Sequence, residues 1–128
     1  MTVFYRTKIT DVGPEVAELL EGGVLILYAA GAPPELAEVS VLHRVQSAPS
    51  AGAPPVGARL RIGEVATTLT AIGELSWKKV GDIGHVVINF DGAATAGRPG
   101  ELCAAPVDPG ALSGALVSGA EIVIETAA

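Results

Sequence analysis

A chain of 128 residues with 8 Lys plus Arg against 14 Asp plus Glu carries a formal charge of −6 and a pI near 4.7. That length suits a single domain over residues 1–128, large enough to fold without a metal or disulfide staple. The scattered basic residues exclude the basic face on which nucleic-acid binding depends, and no apolar run approaches the ~20 residues that span a bilayer.

The single cysteine, Cys103, cannot form an internal disulfide, which fits a reducing compartment; as a packing residue it reads as a small buried hydrophobe. The opening Met1-Thr2-Val3-Phe4-Tyr5-Arg6 lacks a signal-peptide layout, so the expected location is cytoplasmic, without membrane insertion. Sixteen glycines and nine prolines in short clusters, alternating with Val- and Ile-rich runs, favour many short strands over a helix bundle.

Taken in order, Thr2–Thr10 is a strand in which Val3, Tyr5, Thr7 and Ile9 alternate with Phe4, Arg6, Lys8 and Thr10. Asp11-Val12-Gly13-Pro14 is a turn into a short helix, with Pro14 suited to the first helical position and Val16, Leu19 and Leu20 on one stripe. Gly22 and Gly23 end it, and Val24–Tyr28 is a buried strand. After Gly31-Ala32-Pro33-Pro34, residues Pro34–Glu38 form a single helical turn. The strand Val39–Val45 follows and sets one histidine, His43, among apolar residues.

Ser47–Gly57 is the most loop-like stretch, with three prolines, two glycines and no charge; it is either a plain connection or a cover for a site. Arg59–Ile62 and Glu64–Ile72 form a hairpin about Gly63. Gly73–Gly84, with Trp77, Lys78 and Lys79, is a loop or short helix, its lysines either solvated or facing a partner. His85–Phe90 is a strand, Glu101–Ala104 a short edge strand, Gly110–Leu116 a helical turn and Glu121–Glu125 the last strand. The expectation is an all-β fold, a small closed or nearly closed barrel of about seven strands with one or two short helices.

The chemistry is narrowed by elimination. The chain has no GxxxxGK[ST], CxxC, HExxH or GxSxG motif, and its two histidines lie far apart in sequence, so no metal or cofactor is expected. The carboxylates fall on helix starts, turns and strand ends and single out no acid–base pair. Histidine remains as the reactive group: a neutral imidazole is a nucleophile toward phosphorus near neutral pH and can hold a phosphoryl group covalently. On its residues alone, His43 is either a buried structural side chain or that nucleophile. His85, after Gly84, could support it if its strand neighbours the His43 strand. Strand parity sends Arg44 to the opposite face.

The run Gly31-Ala32-Pro33-Pro34-Glu35-Leu36-Ala37-Glu38-Val39-Ser40-Val41-Leu42-His43 resembles the glucitol/sorbitol-specific IIA component of the bacterial phosphoenolpyruvate-dependent sugar phosphotransferase system. Met1-Thr2-Val3 with Tyr5, Thr7 and Ile9-Thr10, then Thr70-Ala71-Ile72-Gly73, Gly84-His85-Val86 and Phe90-Asp91-Gly92 extend the likeness, in order, over nearly the whole chain. The resemblance implies a small β-barrel and a phosphotransferase with a phosphohistidine intermediate at His43. Such a component accepts the phosphoryl group from the phosphocarrier HPr and passes it to a cysteine of the IIB component, which phosphorylates the sugar during uptake through the membrane components. Family members often carry a second histidine two positions on; Val45 stands there in this chain, and the Ala/Pro-rich loop after it departs from the shorter, more polar segment expected. His85 is then the candidate phosphate or His43 support. The alternative reading is a non-catalytic regulatory or binding barrel of the same family; a sugar-binding module is disfavoured by the few aromatic residues. A homodimer is one candidate assembly.

Overall fold

The computed structural model describes residues 2–47 and 52–126. The elements run β1 (Thr2–Val12), α1 (Val16–Glu21), β2 (Val24–Ala29), α2 (Pro34–Ala37), β3 (Val41–Ser47), β4 (Arg59–Ile62), β5 (Val65–Ile72), α3 (Ser76–Ile83), β6 (Val86–Asn89), β7 (Glu101–Ala104), α4 (Pro109–Ala115) and β8 (Glu121–Thr126). The eight strands close into a barrel in the order β1-β3-β2-β6-β7-β5-β4-β8. The pairs β2–β3 and β6–β7 are parallel and the others antiparallel. Closure leaves no strand edge free for pairing with another chain.

The period-two pattern of the strands builds the core. Tyr5, Thr7 and Ile9 of β1, Leu25 and Leu27 of β2, Leu60 and Ile62 of β4, Val86 and Ile88 of β6, and Ile122 and Ile124 of β8 are all buried. Each fully buried aliphatic side chain contributes about 1.5–3 kcal/mol. Helices α1 and α4 lie where β1, β2, β7 and β8 turn over, and place Val16, Leu20 and Leu112 in the core; α3 joins β5 to β6 at the opposite end and adds Trp77 and Val80. Trp77 and Val80 are three apart, the spacing of one helical face, and Ser76 at the helix start is buried with its hydroxyl donating to the Gly73 carbonyl.

The barrel and the β4–β5 hairpin about Gly63 (φ +57°) are as the sequence leads one to expect. The differences have local causes. There are eight strands among the described residues, and Glu101–Ala104 is not an edge strand but lies between β6 and β5. Among the described residues there are four short helices rather than one or two: the stretch about Trp77 is helical, and Asp108 caps α4 by accepting a hydrogen bond from the Ala111 N–H at 2.9 Å. Helix α1 starts at Val16, not Pro14, and the Glu15 N–H before it donates to the Glu38 carbonyl. Strand β3 starts at Val41, not Val39, whose N–H still bonds back to the Leu36 carbonyl. Residues 48–51 of the Ala/Pro-rich loop lie outside the described residues; Gly57 and Ala58, at its far end, bond to Leu69 of β5.

Two glycines make a paired test. A Cβ on Gly73 would overlap the carbonyl oxygens of Pro99 and Glu101, whereas one on Gly81, inside α3, meets nothing within 4 Å. Gly73→Ala is expected to cost about 2 kcal/mol or more, because the obstacle is backbone. Gly81→Ala is expected to stabilise by about 0.5–1 kcal/mol. Denaturant unfolding of the two variants reads both signs.

Candidate functional site

His43 lies on β3 at the α3 end of the barrel. Its parity is that of Val41, and it pairs with Ile9 of β1 and Ala29 of β2, so its ring points inward. It is 2 % exposed. Such a ring must find partners within the protein. Nδ1 lies 2.7 Å from Thr7 Oγ1, and Nε2 lies 2.8 Å from the carbonyl oxygen of Gly84. A carbonyl can only accept, so Nε2 carries the proton and the Thr7 hydroxyl donates to Nδ1. The Tyr5 hydroxyl stands 3.5 Å from Nδ1, at the limit of hydrogen-bond reach. Two hydrogen bonds therefore hold the ring, one from the Thr7 hydroxyl to Nδ1 and one from Nε2–H to the Gly84 carbonyl.

Each partner owes its place to local backbone geometry. Tyr5 and Thr7 share one parity of β1, which turns both inward; β-bulges on either side of the stretch Thr7–Ile9 adjust its register with β3. Tyr5 sits edge-on to both His43 (centroids 6.2 Å) and Trp77 of α3 (6.0 Å). Gly84 ends α3 in the left-handed conformation, φ +63°, which brings its carbonyl to the imidazole. A Cβ there would come within 3.2 Å of His43 Cε1 and 3.0 Å of the Ala29 Cβ, so the close approach needs glycine.

Burial holds the His43 imidazole below its ordinary pKa, the Gly84 hydrogen bond acting the other way. The ring is therefore neutral near pH 7. Burial likewise pushes the Tyr5 phenol up, so it remains a neutral donor. Cys103 is buried, and burial, followed by the Asp91 carboxylate, raises its thiol; this agrees with a packing role and makes it a poor nucleophile.

The two histidines do not face each other. Strand β2 lies between β3 and β6, and the His85 ring packs on Tyr28 on the outer surface, centroids 5.2 Å apart. Burial first, and then the nearby Lys79 charge, lowers its pKa. Its link to His43 runs through the backbone of its neighbour Gly84. Arg44 is exposed on the outer face opposite Lys8, as parity requires. Val45 shares the parity of His43 and pairs with Thr7, yet is 43 % exposed, so a side chain there sits beside the Thr7–His43 pair at the rim. Sequence reasoning missed Thr7 and Gly84 as partners of His43. The available signal was a hydroxyl residue on the parity of β1 shared by Tyr5 and Ile9, which would otherwise be an apolar face.

Among the described residues no group of three or more His, Cys, Asp or Glu side chains is placed to hold a metal ion, and no helix is long and apolar enough to cross a membrane.

Comparison with known proteins extends this geometry. Residues 4–122 match the family model described as the glucitol/sorbitol-specific IIA component of the phosphotransferase system. Glucitol/sorbitol-specific EIIA components of Shigella flexneri and Escherichia coli (strain K12) are each 32 % identical over 102 residues, covering 80 % of this chain and 81 % of theirs. The crystal structure of a phosphotransferase-system IIA component from Enterococcus faecalis V583 superposes with a TM-score of 0.69 at 16 % identity, covering 94 % of this chain and 99 % of that one, which shows a shared fold. With a family match over nearly its whole length and relatives at this identity, the chain belongs to the glucitol/sorbitol-specific IIA family of the sugar phosphotransferase system, and its role lies in phosphotransfer during sugar uptake.

Proposed function

We propose that His43 is the phosphoryl carrier: it accepts the group from phospho-HPr as a phosphohistidine and passes it to the cysteine of a IIB component serving a glucitol- or sorbitol-type transporter, in the cytoplasm. The observation that carries this reading is the held ring. An imidazole that is neutral at pH 7, anchored through one nitrogen by Thr7 and placed at the α3 end of the barrel, meets the needs of a nucleophile that works by positioning. Transfer between phosphohistidine and histidine exchanges one N–P bond for another and draws on no cofactor.

A second reading, a regulatory barrel of the same family without efficient transfer, is favoured by Val45. If the commoner second histidine serves to hold the phosphate, this chain lacks it, and His85 packs on Tyr28 rather than beside the His43 ring. Incubation with phosphoenolpyruvate, enzyme I and HPr separates the two. The relay reading expects one acid-labile phosphate per chain, absent from His43→Ala. No uptake by the wild-type protein, or uptake by His43→Ala, overturns it.

The same burial predicts a pH dependence of stability. The folded-state pKa of His43 lies below the unfolded value of about 6.5, so the unfolded chain binds more protons as the pH falls from 6.5 through the folded value. Stability is thus full above 6.5 and declines below it. Melting temperatures from pH 8 to pH 5 are expected to fall more steeply for the wild type than for His43→Gln; equal slopes would show that the buried imidazole does not titrate in this way.

A further inference from the structure

Both nitrogens of His43 are occupied, and the two partners are not equivalent. The Thr7 hydroxyl donates or accepts, so it can serve Nδ1 in either tautomer; the Gly84 carbonyl only accepts, so it can serve Nε2 only while Nε2 is protonated. A protonated ring nitrogen of neutral imidazole has no lone pair to offer phosphorus. The arrangement is therefore a resting one.

The two sides of the ring also differ in what covers them. On the Nδ1 side stand Thr7, fully buried, and Tyr5, 2 % exposed, with Trp77 of α3 behind it. On the Nε2 side stands the last turn of α3. The buried anchors of that helix, Trp77 and Val80, lie in its first two turns; Gly81, Asp82 and Ile83 are all exposed, and Gly84 closes the helix through its backbone without a side-chain cap. A separation of 2.8 Å between Nε2 and the Gly84 oxygen leaves no room for a phosphoryl group.

We propose that Thr7 selects Nε2 as the phosphoryl-accepting nitrogen by holding Nδ1, and that the Gly84 carbonyl keeps Nε2 protonated and covered until the C-terminal turn of α3 is displaced. This rests on the reading of His43 as the carrier. When the turn moves, the ring proton passes from Nε2 by way of solvent to Nδ1, which then donates to Thr7 Oγ1 while the Thr7 hydroxyl turns toward Tyr5. The freed Nε2 lone pair forms a bond to phosphorus as the N–P bond of the donor phosphohistidine breaks, and the donor ring keeps that electron pair. The positive charge of a protonated donor ring passes with the phosphoryl group to the His43 ring. There the Nδ1–H to Thr7 bond is retained and strengthened, because its donor is now cationic.

The experiment uses the full chain with ring-15N-labelled histidine. In the unphosphorylated protein the His43 nitrogens are expected to report the Nε2–H tautomer, and after incubation with phosphoenolpyruvate, enzyme I and HPr the phosphorus coupling is expected at Nε2. Thr7→Val, which keeps the shape of the side chain, is expected to slow uptake by about tenfold or more. It is also expected to keep the Nε2–H resting tautomer set by Gly84, to place part of its phosphate on the freed Nδ1, and to melt several degrees below the wild type. Thr7→Ser is expected to restore both the rate and the single phosphorylated nitrogen. Phosphate on Nδ1 of the wild type, an Nδ1–H resting tautomer, or a Thr7→Val protein with wild-type rate and phosphate on Nε2 alone overturns the proposal. A wild-type protein in which His43 takes no phosphate overturns instead the reading beneath it, so the two failures are distinct. If Thr7→Val does not fold, the tautomer and the phosphorylated nitrogen of the wild type still decide.

Discussion

The imidazole of His43 is suspended between two strands and a helix end, and the local structure answers to that suspension. A polar ring that is 2 % exposed is tolerated in an apolar interior only when both nitrogens are bonded. Meeting that requirement calls for an inward hydroxyl from β1, a glycine carbonyl from the end of α3, and a register that brings the three together. The bulges in β1 and the left-handed Gly84 are the backbone devices that do so. The same two bonds that make burial possible also set the chemistry, since they decide which nitrogen holds the proton.

Much of the architecture could be read in advance. Alternation in β1 and the apolar run of β2 marked strands, the number of short strands called for closure, and the glycine at 63 marked the hairpin. What escaped were features set by neighbours in space. The stretch about Trp77, which lacks a capping side chain, reads as either loop or helix from its own residues, and it becomes a helix because Trp77 and Val80 bury against the barrel end. The short Glu101–Ala104 strand reads as an edge from its own residues; it is interior because β5 and β6 meet it from both sides.

The site was legible in its nucleophile and not in its partners. A lone histidine in a strand of apolar parity is ambiguous on physics alone, and the ordered likeness across the chain pointed to His43. The idea that His85 would face it assumed adjacent strands. Strand order cannot be read from spacing, and β2 intervenes. Thr7 and Gly84 were visible as residues but not as ligands of the ring, because they lie 36 and 41 positions away from it in sequence. Val45 remains the most informative departure from the family pattern: it sits at the rim beside Thr7, where a second histidine would have met the ring that is already held.

The account turns on one imidazole. Its most direct test is the 15N spectrum of the two histidine rings before and after phosphorylation driven by phosphoenolpyruvate through enzyme I and HPr. The account predicts that the ring of His43 alone acquires coupling to phosphorus, while His85, packed on Tyr28, keeps its resting signals. Phosphorus coupling at His85, or at neither ring while HPr is fully phosphorylated, would contradict it.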